Sequence, residues 1–289
     1  MRGSIIIDGI DIDNFGVFIL KGGDNDFLSF PERKEPAQYN WHESDGLDID
    51  LTEVYFKEKK VDVDFYIRAS SGPEFKNRLT DFYKLLKSPG YRSIYSREFD
   101  RTFSLRYISS SEYTHSGGLN KSGNKWAKFR IRFSMDNPLQ LFTKPGILVP
   151  VSDLETIPSY VKINGYDLSL FGITVNQCYD TILALPSIKQ PLTRSFETSN
   201  GLQVYPTEKN SFESRQILID CTMRANTRDS FYHNYEALFN NLIKPRAVRL
   251  SSYMGENDCY YSSMQGFEKL QPFKNGVLVK FTLKLTTLK

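Results

Sequence analysis

The chain has few of the residues from which reactive sites are commonly built. Only three histidines, His42, His115 and His233, and three cysteines, Cys178, Cys221 and Cys259, occur among its 289 residues. The cysteines lie far apart in the second half with no CxxC or CxxxH spacing, which argues against a zinc site and a disulfide framework. Cys221 ends the apolar run Ile217-Leu218-Ile219-Asp220-Cys221 and reads as a buried free thiol. No histidine accompanies a nucleophile motif such as G-x-S-x-G, and His233 reads as a surface or partly packed residue on a helical pattern. The carboxylates Asp8, Asp11, Asp13, Asp24 and Asp26 miss the spacing of a calcium loop and read as solvated. No catalytic, metal or cofactor residue is assigned, no cofactor is expected, and the chain is not expected to be an enzyme.

Long apolar runs are also missing. None reaches about 18 residues, and no apolar stretch follows Met1-Arg2-Gly3-Ser4, so neither membrane insertion nor a secretory leader is expected. The protein is expected to be made and kept in the cytoplasm unless an assembly carries it out. A formal net charge of +3 is too small for a nucleic-acid binder, which concentrates basic charge in a patch. Hydrophobic residues at 40% suffice for two ordinary cores.

What the chain does have is a repeat. Ile7-Asp8-Gly9-Ile10-Asp11-Ile12-Asp13-Asn14-Phe15-Gly16-Val17 returns as Ile163-Asn164-Gly165-Tyr166-Asp167-Leu168-Ser169-Leu170-Phe171-Gly172-Ile173. In each copy Asp-Gly or Asn-Gly marks a tight hairpin and Phe-Gly breaks the following segment. Downstream, Gly201-Leu202 answers Gly46-Leu47, Phe212 answers Phe56, and Ile217, Ile219, Arg224 and Ala225 answer Val61, Val63, Arg68 and Ala69. Helical spacing follows in both copies. Phe75, Leu79, Phe82, Tyr83, Leu85 and Leu86 have Ser71 as N-cap and Ser88-Pro89-Gly90 as stop; Phe231, Tyr235, Leu238, Phe239 and Leu242 end before Pro245. Aromatic-rich strand patterns close each half, the first at Asp136-Asn137-Pro138. The organisation expected is a first domain over 1–138, a connector over 139–159 and a second domain over 160–289. Each domain would hold about seven or eight strands on one helix, an α+β and mainly β unit.

Three stretches are candidate interaction sites. Asp62 and Asp64 share one face of an alternating strand, where they either meet solvent or line a channel and repel DNA phosphates. The segment from Ser116, Gly117 and Gly118 through Lys121 to Asn124 superficially resembles a phosphate loop. It lacks Gly-Lys-Ser/Thr and precedes a strand, so it reads as a mobile hairpin tip that could order against a neighbouring molecule. Lys128, Arg130 and Arg132 alternate with Phe129, Ile131 and Phe133, which leaves open a positive stripe, a solvated outer face, or a face that pairs with a neighbour's acidic strands.

Asn164-Gly165-Tyr166-Asp167-Leu168-Ser169 opening a strand resembles the start of the N-terminal domain of siphophage distal tail proteins. Asp45-Gly46 before a strand, one helix ending in a Leu-x-x-Pro pattern, and a final strand running into Ser134-Met135-Asp136-Asn137-Pro138 fit as well. The second half departs by ending at Leu288-Lys289 without the Asp-Pro turn. The resemblance implies split β-barrels or sandwiches, each with a flanking helix, of the tail-tube kind, assembled as a ring around a channel. Because a distal tail protein usually has one such domain, two per chain resemble tail baseplate hubs better, and three chains would make a pseudo-sixfold ring. Further implications are a location in the virion tail of a phage or prophage, self-association as a trimer or hexamer, contact with other tail-tube and baseplate proteins, and passage of DNA without sequence-specific binding. The other function class in view is a carbohydrate-binding β-rich module, since surplus Tyr and Trp can stack on sugars.

Overall fold

Asp8-Gly9 forms the tip of a ribbon between β1 (Ile5–Ile7) and β2 (Ile10–Asp11), with Asp8 at φ 49° and Gly9 at φ 82°. Positive φ at both central positions gives the turn whose twist matches a hairpin, the reason Asp-Gly stands there. The computed structural model describes residues 5–289 apart from 121, 145, 152, 156, 192, 199, 206–208 and 275. The strand that follows the turn stops at Asp11. Its carboxylate accepts the Asp13 N–H and starts a 3-10 turn over Ile12–Phe15, so the backbone leaves the sheet. Gly16, at φ 62°, ends the turn, and β3 (Val17–Ile19) returns to the sheet.

A small ribbon, β4 (Gln38–Tyr39) with β5 (Asp48–Ile49), precedes the long strand β6 (Lys59–Ala69). Helix α1 (Gly72–Lys87) starts as its sequence suggests: the Ser71 hydroxyl accepts the Glu74 N–H and Pro73 lies in the first turn. Strands β7 (Arg92–Ser96), β8 (Arg101–His115) and β9 (Lys125–Met135) follow. The stretch after Met135 is not wholly irregular, since Pro138–Leu141 makes one 3-10 turn capped by the Asn137 side chain.

Corresponding elements then recur. They are β10 (Lys162–Ile163), β11 (Tyr166–Asp167), a 3-10 turn over Leu168–Phe171, and β12 (Ile173–Gln177). The short helix α2 (Tyr179–Leu183) and the ribbon β13 (Thr193–Arg194) with β14 (Gln203–Val204) lead to β15 (Gln216–Ala225). Helix α3 (Arg228–Leu242), β16 (Val248–Ser252), β17 (Gly255–Lys269) and β18 (Val277–Thr287) complete the chain. The architecture is mainly β.

The two large sheets have seven strands each and matching order, β2-β1-β7-β8-β9-β6-β3 and β11-β10-β16-β17-β18-β15-β12, with antiparallel neighbours throughout. In a flat sheet of that width the outermost strands would stand roughly 29 Å apart. Only residues 12–16 join edge strand β2 to edge strand β3, a span of about 10 Å at the rise of a 3-10 turn. The sheet therefore curls into a half-barrel, with the turn bridging its open side. Inside the first, Phe82 of α1 packs on Phe15 of that turn, Phe65 of β6 and Phe129 of β9, at ring-centroid distances of 6.1, 5.5 and 6.2 Å.

Candidate functional site

The candidate charged strands turn out to be neighbours. β6 pairs with β9 in a register that sets Asp62 opposite Arg132 and Asp64 opposite Arg130. Arg132 donates to Asp62 through Nε and Nη2, both at 2.7 Å, and Arg130 donates to Asp64 at 2.7 and 3.1 Å. Arg130 also reaches Glu112 at 2.5 Å. The Arg132 guanidinium holds the Asp62 carboxyl below its ordinary range, more than burial raises it. Lys128 is exposed and lies opposite Tyr66 and Thr114. Of the three arrangements left open for the basic strand, pairing with an acidic strand is the one seen for Arg130 and Arg132, and that strand is the chain's own β6. Register decides this, and the two strands are too far apart in sequence for the pairing to be visible there.

The β8–β9 hairpin tip lies against the start of α1. A side chain at Gly72 would run into the Leu119 backbone carbonyl, and Leu119 joins Phe75 and Leu79 in lining a groove of about 780 Å³. Ser116 is half-buried and its hydroxyl accepts the Trp126 N–H at 3.2 Å, whereas Gly117 is exposed and Gly118 half-buried. Lys121 lies outside the described residues. The tip therefore sits apart from the arginine–aspartate ladder and forms no common site with it.

Among the described residues, no group of three or more His, Cys, Asp and Glu side chains is placed to hold a metal ion. Cys178, Cys221 and Cys259 are free and buried, and burial pushes the Cys259 thiol up to about 12. His233 is partly packed, its Nε2 3.0 Å from the Val149 carbonyl oxygen. No described helix is long and apolar enough to cross a membrane.

The most elaborated site is one the sequence reading did not identify, the junction on α3. One face of this helix fills its own half-barrel through Phe231, Leu238 and Leu242, all fully buried. Its other faces are covered by the first half of the chain. Phe30 inserts between Tyr235 and Phe239 at centroid distances of 4.3 and 4.8 Å, and Phe142 stacks on Phe239 at 3.8 Å. Tyr235 donates its hydroxyl to the Leu28 carbonyl at 2.7 Å, and Tyr232 donates to that of Phe99 at 2.6 Å. Polar positions that would suit a solvated face are all engaged. Glu236, 2% exposed, takes an ion pair from Arg101 at 2.8 Å and accepts the Lys144 N–H at 3.0 Å. Asn234 exchanges two hydrogen bonds with the Val151 backbone, and Asn240 donates to the carbonyls of Lys144 and Ile147.

A second charged knot lies beside it, where Lys269 at the end of β17 contacts Asp24 at 2.9 Å and Glu98 at 2.8 Å. Burial raises the Asp24 carboxyl despite the lysine. The segment carrying Phe27 to Ser29 is fixed from behind by Lys59, whose ammonium donates to the carbonyls of Phe27 and Ser29 at 3.0 and 2.6 Å. Burial pulls that lysine down to about 7.

Two curled sheets, joined at α3, at the Lys269 knot and where Gly46 and Leu47 pair with Phe212 and Leu288, make a mainly β protein. Among solved structures, one described as the crystal structure of the SPP1 Dit (gp 19.1) protein, a paradigm of hub adsorption apparatus in Gram-positive infecting phages, is similar at 12% identity. The match covers 99% of this chain and 98% of that one, with a TM-score of 0.37. No family model matches the sequence, and no curated protein matches it.

Proposed function

We propose that the chain is a non-enzymatic structural component of a phage or prophage tail, a distal tail or baseplate hub protein. Its two halves, 1–138 and 160–289 joined by 139–159, would be tandem copies of one tube-like domain. Three or six chains would form a ring that joins tail tube to tip proteins and lets DNA pass. The carrying observation is the junction itself: two half-barrels of matching strand order meet through different surfaces, the second half's helix buried against Leu28, Arg101 and the connector. Head-to-tail contacts between non-identical surfaces are the kind that close rings. The turn at Asn164-Gly165, which opens the stretch that resembles distal tail proteins, adds support.

The test is co-expression with the products of neighbouring genes followed by negative-stain imaging. Rings with a central opening, bound to tube or tip proteins, are expected; a strict monomer that never joins such proteins would overturn the reading. A tape-measure gene just upstream is the expected genetic setting.

One observation favours carbohydrate binding as a second reading. Tyr39 and Trp41 are 63% and 53% exposed and stacked, with centroids 5.8 Å apart and planes 20° from parallel. Such a platform suits a sugar face. Glycan-array binding by the monomer, lost in Trp41→Ala, would support it.

A further inference from the structure

The two halves share a fold but not an environment. α3 is enclosed, whereas α1 leaves Lys76, Thr80 and Lys84 exposed and Leu79 and Tyr83 half-buried. Strand β17 is covered at Tyr261 (0% exposed) and Phe267 (6%), while at the matching positions of β8 Tyr107 is half-buried and Tyr113 is 41% exposed. The match is structural: each strand carries bulges at the same two places, after Tyr107 and Ser111 in β8 and after Tyr261 and Gln265 in β17, with positive φ at Glu112 and Gly266. The first half thus presents an uncovered version of the surface that its own Phe30 segment covers on the second half.

The second half carries the complementary excess. An isolated bridge joins Arg33 to Phe56, and its counterpart joins Ile188 to Phe212. That register sets Phe27-Leu28-Ser29-Phe30-Pro31 against Ile182-Leu183-Ala184-Leu185-Pro186. Phe27 and Ile182 are both buried in their own half. Leu28 and Phe30, which dock on α3, are 2% and 3% exposed, yet Leu183 and Leu185 are 59% and 82% exposed. The β7–β8 turn adds Phe99 (0%) to the α3 junction, and the β16–β17 turn offers Tyr253 (85%) to solvent.

We propose that Leu183 and Leu185 of one chain dock on α1 and β8 of a second copy, as Leu28 and Phe30 dock on α3 and β17 within the chain. Leu185 enters between Leu79 and Tyr83, the positions of Tyr235 and Phe239, and Tyr253 meets Leu119, which stands where Phe273 packs on Phe231 in the second half. The partner is a copy of this chain because the uncovered face places Leu79, Tyr83 and Tyr107 where Tyr235, Phe239 and Tyr261 stand in the face this chain already covers with the corresponding segment. Such a contact is heterologous, using one surface from each half, so it propagates from chain to chain. The inference rests on the assembly reading and specifies its interface.

Two measurements test it. A Leu185→Cys protein mixed with a Leu79→Cys protein under mild oxidation should give a disulfide-linked dimer that neither gives alone, and no mixed product would overturn the docking. Sedimentation of the wild type, compared with Leu185→Asp, should show assembly shifted to at least tenfold higher concentration in the variant. Assembly of the wild type without a mixed disulfide and without an effect of Leu185→Asp rejects this interface but leaves the ring standing. A monomeric wild type, alone and with tail partners, that also gives no mixed disulfide rejects both.

Discussion

Lys59 occupies a site where charge is expensive. It is 6% exposed, and its ammonium is held by the two carbonyls behind the Phe27–Phe30 segment. Burial brings its pKa from the ordinary 10.5 to about 7, with Asp26 opposing the shift. Below pH 7 the lysine is protonated in both folded and unfolded chains, and the full cost of burying the charge is present. Between 7 and 10.5 the unfolded chain binds the extra proton, so stability rises with pH across that window. Above about 9 the buried thiols, raised by burial, pull the other way. We expect Lys59 to raise unfolding free energy by about 2–3 kcal/mol between pH 7 and 9, at up to 1.36 kcal/mol per unit. Urea denaturation at both pH values should detect the rise, and Lys59→Met should abolish it. A lysine that begins an alternating strand looks like any solvated strand end in the sequence. Only the fold of residues 27–29 over it makes it buried, which is why this position was not legible.

The elements were legible where periodicity was long and obscure where it was short. β6, β9, β15, β18 and the two long helices follow from alternation and helical spacing, since burial of one face fixes both. The 3-10 turns, α2, β4 and the ribbon β13–β14 have too few residues for any period to register, whereas β5 follows the Asp45-Gly46 turn as read but keeps only Asp48–Ile49. The Phe-Gly pairs mark an exception, because each glycine fits a single geometry. Gly16 and Gly172 have φ of 62° and 75°; a Cβ on Gly16 would stand 2.6 Å from the Arg68 carbonyl oxygen, and one on Gly172 would collide with that of Arg224. Replacing either by alanine should cost roughly 2–3 kcal/mol, since strain and clash add; thermal melts would register it as a clear drop in Tm. The docking segments give a sharper contrast. Phe30→Ala should cost about 3–5 kcal/mol because it empties the gap between Tyr235 and Phe239. Leu185→Ala, at a corresponding position facing solvent, should change the stability of the single chain by less than about 0.5 kcal/mol.

At the scale of the molecule, the same helix sequence logic yields two outcomes, and the partner decides between them. α3 has an apolar stripe plus Asn234, Glu236, Asn240 and Asn241, a pattern that alone describes a helix half in water. The fold instead gives every one of these polar side chains a hydrogen-bond partner, all four on residues 144–151. An element whose opposite faces complete two cores cannot leave one without exposing the other, so the halves should unfold together despite their separate sheets. Calorimetry of the full chain should show one transition with matching calorimetric and van't Hoff enthalpies. Glu236→Ala provides the decisive perturbation, because it leaves half-buried Arg101 with only the Leu141 carbonyl and the Tyr232 ring and frees the Lys144 N–H. Breaking such a pair costs about 3–5 kcal/mol, and this loss falls on the junction rather than on either sheet. Because Lys269 still holds Asp24 and Glu98, and the backbones of Gly46 and Leu47 still pair with Phe212 and Leu288, the variant should melt in one transition at lower temperature; two separate transitions would mean that α3 alone couples the halves.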